Sequence, residues 1–348
     1  MARSQVTIRD VAAYAGVSHQ TVSRVINQSE RVSPATRAGV EKAIAELGYR
    51  PNAIARYMAK GHTGTLACIA PNLTDYTFAS IIDGAETEAR KHGYFLLSAS
   101  AHDEETFICL MDDLVSSRLV EGIMIINPYA DRRHVHLPPD FPTVFAGARP
   151  REETADSVAL DDVGVAREAT QHLINLGHRC IAMVTGPLAE DCSQDRCLGY
   201  AQALHEAGID SLPELIVEGD WLAPSGYEAF KRLFEMNPTP TAVFAQNDQM
   251  AVGILRAARD LRLSIPSDLS VLGIDDIPLA AYFTPPLTTL RQDFAKIGQE
   301  ASRLLIRTVE QPSDPARHIR LPAELIVRRS TGPTPTAGFE KLFPQNDE

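Results

Sequence analysis

The sequence predicts an all-α headpiece of three short helices followed by an α/β body of two parallel-sheet lobes. Three observations carry that prediction. Helix start and stop residues punctuate the first 50 positions. From Thr65 onward, short apolar runs alternate with amphipathic helical stretches. The charge is divided as well: residues 1–62 hold nine Lys/Arg against four Asp/Glu, a balance of +5, so the overall −12 conceals a remainder of −17. A basic head on an acidic body suits a polyanion-binding module joined to something else, with the body limiting non-specific adhesion.

In the headpiece, Thr7 is placed to cap a first helix, with Asp10 three residues on as its capping-box partner. Val11, Ala12 and Ala15 supply its apolar face and Gly16 ends it. Ser18 caps a second helix that turns Val22, Val25 and Ile26 inward. Ser33-Pro34 opens a third, with Val40, Ile44 and Leu47 as its stripe and Gly48 as its stop. Asn52 can cap one or two further turns, too short a helix to hold alone in water. Gly61 to Gly64 reads as the end of a linker.

The body offers nine strand candidates: Leu66–Ala70, Tyr94–Ala99, Gly122–Ile126, Thr143–Ala146, Val158–Leu160, Ile181–Thr185, Leu215–Val217, Ala242–Ala245 and Leu269–Gly273. Helices expected between them include Ile81–His92, Val165–Leu176 and Met250–Leu261. Such alternation means parallel sheets, and nine strands suit two sheets with a cleft between them. The segment from Ser330, rich in Pro, Thr and Gly, is expected to fray. No leucine heptad follows the core.

The run from Val6 to Asn27 carries the strongest chemical signal. Two helices joined by Ala15-Gly16-Val17-Ser18 have helix-turn-helix geometry, whose second helix enters the major groove of DNA. His19, Gln20 and Arg24 can share its outward face; glutamine pairs bidentately with adenine and arginine with guanine. Ser18, Thr21, Ser23 and Asn27 are short hydrogen bonders suited to phosphates, as is the helix N-terminus itself. The plainer alternative is a small helical bundle with a solvated polar face.

The stretch from Val6 to Gly61 resembles the headpiece of the lactose-repressor (LacI/GalR) family. The likeness runs on through Val32-Ser33-Pro34 and Leu47-Gly48-Tyr49-Arg50-Pro51-Asn52 and then over almost the whole chain. The resemblance implies a homodimer on near-palindromic double-stranded operator DNA, with Thr7 and the second helix among the contacts. It also implies a hinge helix, formed only on DNA, that brings Asn52, Ala55 and Met58 to the minor groove. Met58 stands where the family usually has a leucine wedge, and methionine is an accepted intercalating wedge.

The body resembles the same family's effector domain, which is periplasmic-binding-protein-like. The matching stretches are Leu176-Gly177-His178-Arg179, Phe244 to Ala251, Gly273-Ile274-Asp275-Asp276 and Leu287 to Asp293. The implied effector-binding residues are Arg196, Asn247, Asp275, Trp221 and Gln292, with Asp75 and Phe78 from the first lobe. These types suit a sugar: carboxylate and amide accept from hydroxyls, a guanidinium donates in a fixed fork, and an indole covers the apolar face of a pyranose. Duller roles remain open. Asn247 or Asp248 can cap the helix expected near Met250, Asp275 can end a strand and pair with Arg196, and Trp221 can be packing.

Other classes are disfavoured. The sequence contains no G-x-S-x-G, H-E-x-x-H, P-loop or G-x-G-x-x-G, and the pairs Asp161-Asp162 and Asp275-Asp276 are strand neighbours that point opposite ways. The five cysteines (Cys68, Cys109, Cys180, Cys192 and Cys197) lack zinc spacing and read as small apolar fillers, with a minor redox role open for Cys192 and Cys197. No cofactor or metal is expected. The longest apolar runs are far too short for a bilayer, and no apolar stretch of the signal-peptide kind follows Met1, so a cytoplasmic protein is expected. The expected organisation is a DNA-binding domain over 1–50, a hinge and linker over 51–64, a two-lobed effector-binding and dimerisation domain over 65–330, and a flexible tail over 331–348. The expected function is repression of sugar-utilisation genes, relieved by a small sugar or glycoside. The alternatives are a corepressor-dependent regulator that binds a non-sugar metabolite, and a plain solute-binding protein.

Overall fold

The computed structural model describes residues 6–29, 31–49, 62–126, 133–138, 140–147, 149, 155–236, 239–312 and 314–335. The chain divides into two compact units, Met1–Gly64 and Thr65–Glu348.

Among its described residues the first unit has three helices: α1 (Ile8–Ala15), α2 (His19–Ile26) and α3 (Pro34–Leu47). Local chemistry sets every boundary. Thr7 and Asp10 form the capping box, and Gly16 closes α1 at φ 64°, a left-handed conformation that costs glycine little. The Ser18 hydroxyl accepts from the Thr21 amide at 3.1 Å. Ser33 caps α3, with Pro34 at its first turn, and Gly48 ends it. Val11, Ala12, Val22, Val25, Val40 and Ala43 form the core. Arg37 donates to the Ser29 carbonyl oxygen at 2.8 Å, so it ties the end of α2 to α3.

The second unit holds two six-stranded sheets. Strands β1 (Thr65–Ala70), β2 (Phe95–Ser100), β3 (Gly122–Ile125), β4 (Thr143–Ala146), β5 (Asp156–Leu160) and β11 (His318–Leu321) build lobe 1 in the order β11-β5-β4-β3-β1-β2, all parallel. Strands β6 (Ile181–Thr185), β7 (Ile216–Glu218), β8 (Ala242–Ala245), β9 (Ser270–Asp275), β10 (Thr288–Arg291) and β12 (Glu324–Ile326) build lobe 2 in the order β12-β10-β9-β8-β6-β7. Only the β10–β12 pair in that sheet is antiparallel. The chain passes between lobes three times: after β5, after β10, and between β11 and β12.

The helices of this unit are α4 (Tyr76–Lys91), α5 (Glu104–Met111), α6 (Asp162–Asn175), α7 (Asp191–Glu206), α8 (Ala223–Phe234), α9 (Asp248–Asp260) and α10 (Phe294–Glu310). Helices α4 and α10 pack on the lobe 1 sheet through Ile81, Ala85, Ile297, Ala301 and Leu305. All nine expected strands are present, within two residues at each end. Three helices start earlier than their apolar stripes suggested: α4 at Tyr76 rather than Ile81, α6 at Asp162 rather than Val165, and α9 at Asp248 rather than Met250. In each case a polar cap, Asp75, Asp161 or Asn247, sets the first turn ahead of the stripe.

The segment from Ser330 corrects another expectation. Ser330 is fully buried, its hydroxyl donating to the Val271 carbonyl oxygen at 2.6 Å. The Thr331 hydroxyl lies 3.0 Å from His172, and Gly332 bonds both Ser270 and the buried His178. The Thr334 amide donates to the Leu176 carbonyl oxygen. Backbone groups that find such partners do not fray, whatever the proline content. Residues 336–348 lie outside the described residues.

Helix pairs in this unit meet through glycine. A Cβ on Gly298 would press into the Ile81 carbonyl oxygen, and one on Gly84 into that of Ala295. Gly226 and Gly253 repeat the arrangement between α8 and α9. Because neither neighbour is a movable side chain tip, Gly298→Ala should force α10 off α4 and cost about 1–3 kcal/mol. Urea unfolding of the variant measures this; an unchanged midpoint would mean that the two helices do not depend on that contact.

Candidate functional site

In the first unit, α2 turns its polar residues outward. His19, Gln20 and Arg24 are exposed, while Val22 and Val25 are buried on the opposite side. Ser18 caps the helix and also lies 3.0 Å, oxygen to oxygen, from the Thr21 hydroxyl. Ser23 accepts from the Asn27 amide nitrogen at 3.4 Å, at the end of α2. The Thr7 hydroxyl donates to Asp10, leaving the exposed start of α1 closed by its own cap. The arrangement presents two hydrogen-bonding long side chains and one histidine from a single helix, beside a capped N-terminus. Asn52, Ala55 and Met58 lie outside the described residues.

In the second unit, the carboxyl ends of the parallel strands in both lobes face one cavity of about 330 Å³. Clefts outside the carboxyl ends of such sheets are where open α/β folds receive ligands, because loops and helix N-termini converge there. All seven residues singled out from the sequence line this cavity: Asp75 and Phe78 from lobe 1, and Arg196, Trp221, Asn247, Asp275 and Gln292 from lobe 2 and its crossover. Apolar wall comes from Phe78, Ile81, Phe294 and Ile297 on one side and from Trp221 and Leu222 on the other.

Each polar residue has a structural anchor. Arg196 donates from Nε to Asp162 at 2.7 Å and from Nη1 to the Gln246 carbonyl oxygen at 2.6 Å. Its partner is therefore Asp162, not Asp275. Burial works against the guanidinium charge, but the Asp162 carboxylate more than restores it, so Arg196 stays cationic. Asp275 ends β9 and accepts from Gln292 at 3.1 Å. Asn247 caps α9 through the Met250 amide and donates to the Trp221 carbonyl oxygen at 2.9 Å, so its capping role is real and coexists with its place on the cavity wall. Trp221 donates from its indole to Glu190 at 3.1 Å, while its ring packs on Gly186 and lies 5.7 Å from the Arg196 guanidinium carbon. Asp75 caps α4 through the Thr77 amide.

Glu190 and Asp162 escaped the sequence reading as wall residues. Asp162 looked like one of two strand neighbours, although it opens α6; Glu190 sits in a loop with no motif. Burial pushes the carboxyls of both upward, against the opposing pull of Trp221 and Arg196 respectively. Cys192 also lines the cavity, and burial raises its thiol pKa, which disfavours the reactive thiolate. Arg149, beyond β4 in lobe 1, donates to Asp195 of α7 in lobe 2 at 2.8 Å and so spans the cleft. Trp221, Asp275 and Asp276 have positive φ, at 71°, 121° and 54°. Strain of this kind in non-glycine residues is held in place by its surroundings and gathers at ligand sites.

Residues 7–52 match the family model for bacterial regulatory proteins of the lacI family, and residues 170–331 match the periplasmic binding protein-like domain. Catabolite control protein A of Priestia megaterium is 36% identical over 94% of this chain and 99% of its own length. The chain belongs to the LacI family. CytR, an HTH-type transcriptional repressor of Escherichia coli K12, is 35% identical over 94% of this chain and 97% of its own. The Lac repressor dimer bound to operator and the anti-inducer ONPF superposes with a TM-score of 0.87 at 31% identity, covering 94% of this chain and 100% of that one. The cellobiose complex of the regulator CelR gives a TM-score of 0.72 at 32% identity, with the same coverage. This LacI-family chain is a DNA-binding transcriptional regulator, not an enzyme. Among its described residues no helix is long and apolar enough to cross a membrane.

The buried Asp275 carboxyl is raised well above its ordinary 3.8, first by burial and then by the Asp248 carboxylate, itself pushed up to about 7 chiefly by burial. A raised acid costs stability when ionised: the penalty is absent below the unfolded value and grows as pH rises toward the folded one. Asp275→Asn should therefore raise the unfolding midpoint most at about pH 8 and least at about pH 4. A midpoint difference that is flat or reversed across that range would contradict a burial cost on the Asp275 charge.

Proposed function

We propose that this chain is a dimeric cytoplasmic repressor of sugar-utilisation genes, whose grip on a near-palindromic operator is released by a small sugar or glycoside. The convergence of Arg196, Asn247, Asp275 and Gln292 with Trp221 and Phe78 on a single cavity carries this reading. Polar groups in a fixed pattern beside aromatic wall suit a ring with hydroxyls on its rim and C–H groups on its faces. Relatives bound to cellobiose and to ONPF support the same chemistry. Dimerisation accounts for large apolar side chains left in water, notably Tyr282 at 82% exposure and Leu279 at 63%.

Residues 1–50 read the operator, 51–64 form the hinge, and 65–330 bind effector and partner. On the cavity side, ligand seated on both lobes favours one lobe arrangement, with the Arg149–Asp195 bridge made or broken accordingly. The coupling between sites is a free energy of typically about 1–3 kcal/mol and acts equally in both directions. Titrating labelled operator complex with a panel of sugars and glycosides tests the proposal. At least one should weaken binding, and Asp275→Ala should bind operator yet ignore that ligand. Uniform tightening would make the ligand a corepressor, and the inducer reading would fall.

Arg24 makes the sharpest test at the DNA side. Its exposed position on α2 suits a bidentate pair with guanine, so Arg24→Ala should cost about 1–3 kcal/mol at one position of each half-site and relax preference there. Competition binding with single-base operator variants measures this. An equal loss on every sequence would make Arg24 a phosphate contact.

A further inference from the structure

The charge on the cavity wall is one-sided. Five acidic side chains line it (Asp75, Asp162, Glu190, Asp220 and Asp275), burial already raises the carboxyls of Asp162, Glu190 and Asp275 so that an added anion is opposed further, and among the described residues Arg196 is its one lysine or arginine. We propose that the cavity selects an uncharged hydroxylated ligand, a free sugar or O-glycoside, and rejects the phosphate ester of that same ligand. The inference rests on the cavity being the effector site and narrows what that effector is.

Arg196 does not offer an anion an uncommitted charge. Its Nε faces Asp162 and its Nη1 the Gln246 carbonyl oxygen, both within 2.7 Å. The other natural anion sites in such a cleft are helix N-termini. Here they are closed. Side-chain oxygens already occupy the first turns of α4, α6, α9 and α10, from Asp75, Asp161, Asn247 and Asp293. The two without a side-chain cap are no better. Helix α7 begins with Glu190 and Asp191, and α8 has a proline in its first turn, which lacks an N–H.

The remaining carboxylates converge from both lobes. Asp75 of lobe 1 acts repulsively on both Glu190 and Asp275 of lobe 2. Asp275 is 8% exposed, and the bond it accepts from Gln292 uses only Oδ1. Hydroxyl donors satisfy such oxygens; a phosphate brings only more acceptors and more negative charge. The chain would thus respond to the material on which a kinase acts and not to the kinase's product.

The test measures, by calorimetry on the full-length chain, matched pairs: glucose, galactose, cellobiose and lactose, each beside its 6-phosphate. The neutral member of a binding pair should exceed its phosphate by at least about 100-fold, because like-charge juxtaposition is costly at a desolvated site. Asp75→Asn combined with Glu190→Gln should narrow it by at least about tenfold; retained operator binding confirms that this variant is folded. A phosphate that binds as tightly as its parent overturns the charge inference and leaves the effector reading standing. A ratio indifferent to both carboxylates overturns it too, since exclusion would then be steric. Failure of every pair to bind removes the sugar reading itself, and the inference with it.

Discussion

The buried ion pair between Arg196 and Asp162 organises the cleft. Arg196 belongs to α7, Asp162 opens α6 just after the chain first leaves lobe 1, and the second bond from Arg196 reaches the end of β8. Three separate segments are thus fixed to one guanidinium. A buried pair of this kind adds little stability over an apolar substitute, but losing either member leaves a charge that nothing compensates. Its value is positional. With Nε and Nη1 of Arg196 spent on structure, the other wall groups share in defining what can enter, and Trp221 finds its place between the Arg196 guanidinium and Glu190.

How much could be read from the chain alone follows the range of the forces involved. The headpiece was legible because each boundary is set within three residues. Thr7 finds Asp10, Ser18 finds Thr21, and Gly16 and Gly48 supply the left-handed stops. In the body, apolar stripes revealed which segments are helices but not where they begin, since the caps Asp75, Asp161 and Asn247 are polar. Strands β10, β11 and β12 escaped for a related reason. Thr288 and Thr289 are buried without forming an apolar run, and β11 and β12 are half-exposed edge strands held by partners far along the chain. Asp156 illustrates the distance involved: it secures Arg307, Thr308 and the Arg317 amide, about 150 residues later.

The cavity was legible in a different way. Arg196, Trp221, Asn247, Asp275 and Gln292 were found by likeness to a family; spacing alone offered the cap at Asn247 and the strand end at Asp275, but paired Arg196 with Asp275 where the structure pairs it with Asp162. Both readings hold for Asn247, which caps α9 and faces the cavity at once. Glu190 and Asp162 carry no local signal, because what makes them wall residues is the approach of α7 to Trp221 and to α6 in space. Proximity of that kind has no trace in neighbouring letters.

The cleft combines features that cost stability: a buried Asp275 carboxyl beside that of Asp248, and positive φ at Trp221, Asp275 and Asp276. A regulator benefits from that cost. Coupling requires a ligand that interacts differently with two arrangements, and carboxyl groups contributed by both lobes can do so through hydroxyls placed among them. One or two hydrogen bonds to charged groups, worth about 1.5–3 kcal/mol each, already match the coupling range of allosteric proteins. A few contacts of that kind, made in one lobe arrangement and not in the other, are therefore large enough to tip a switch.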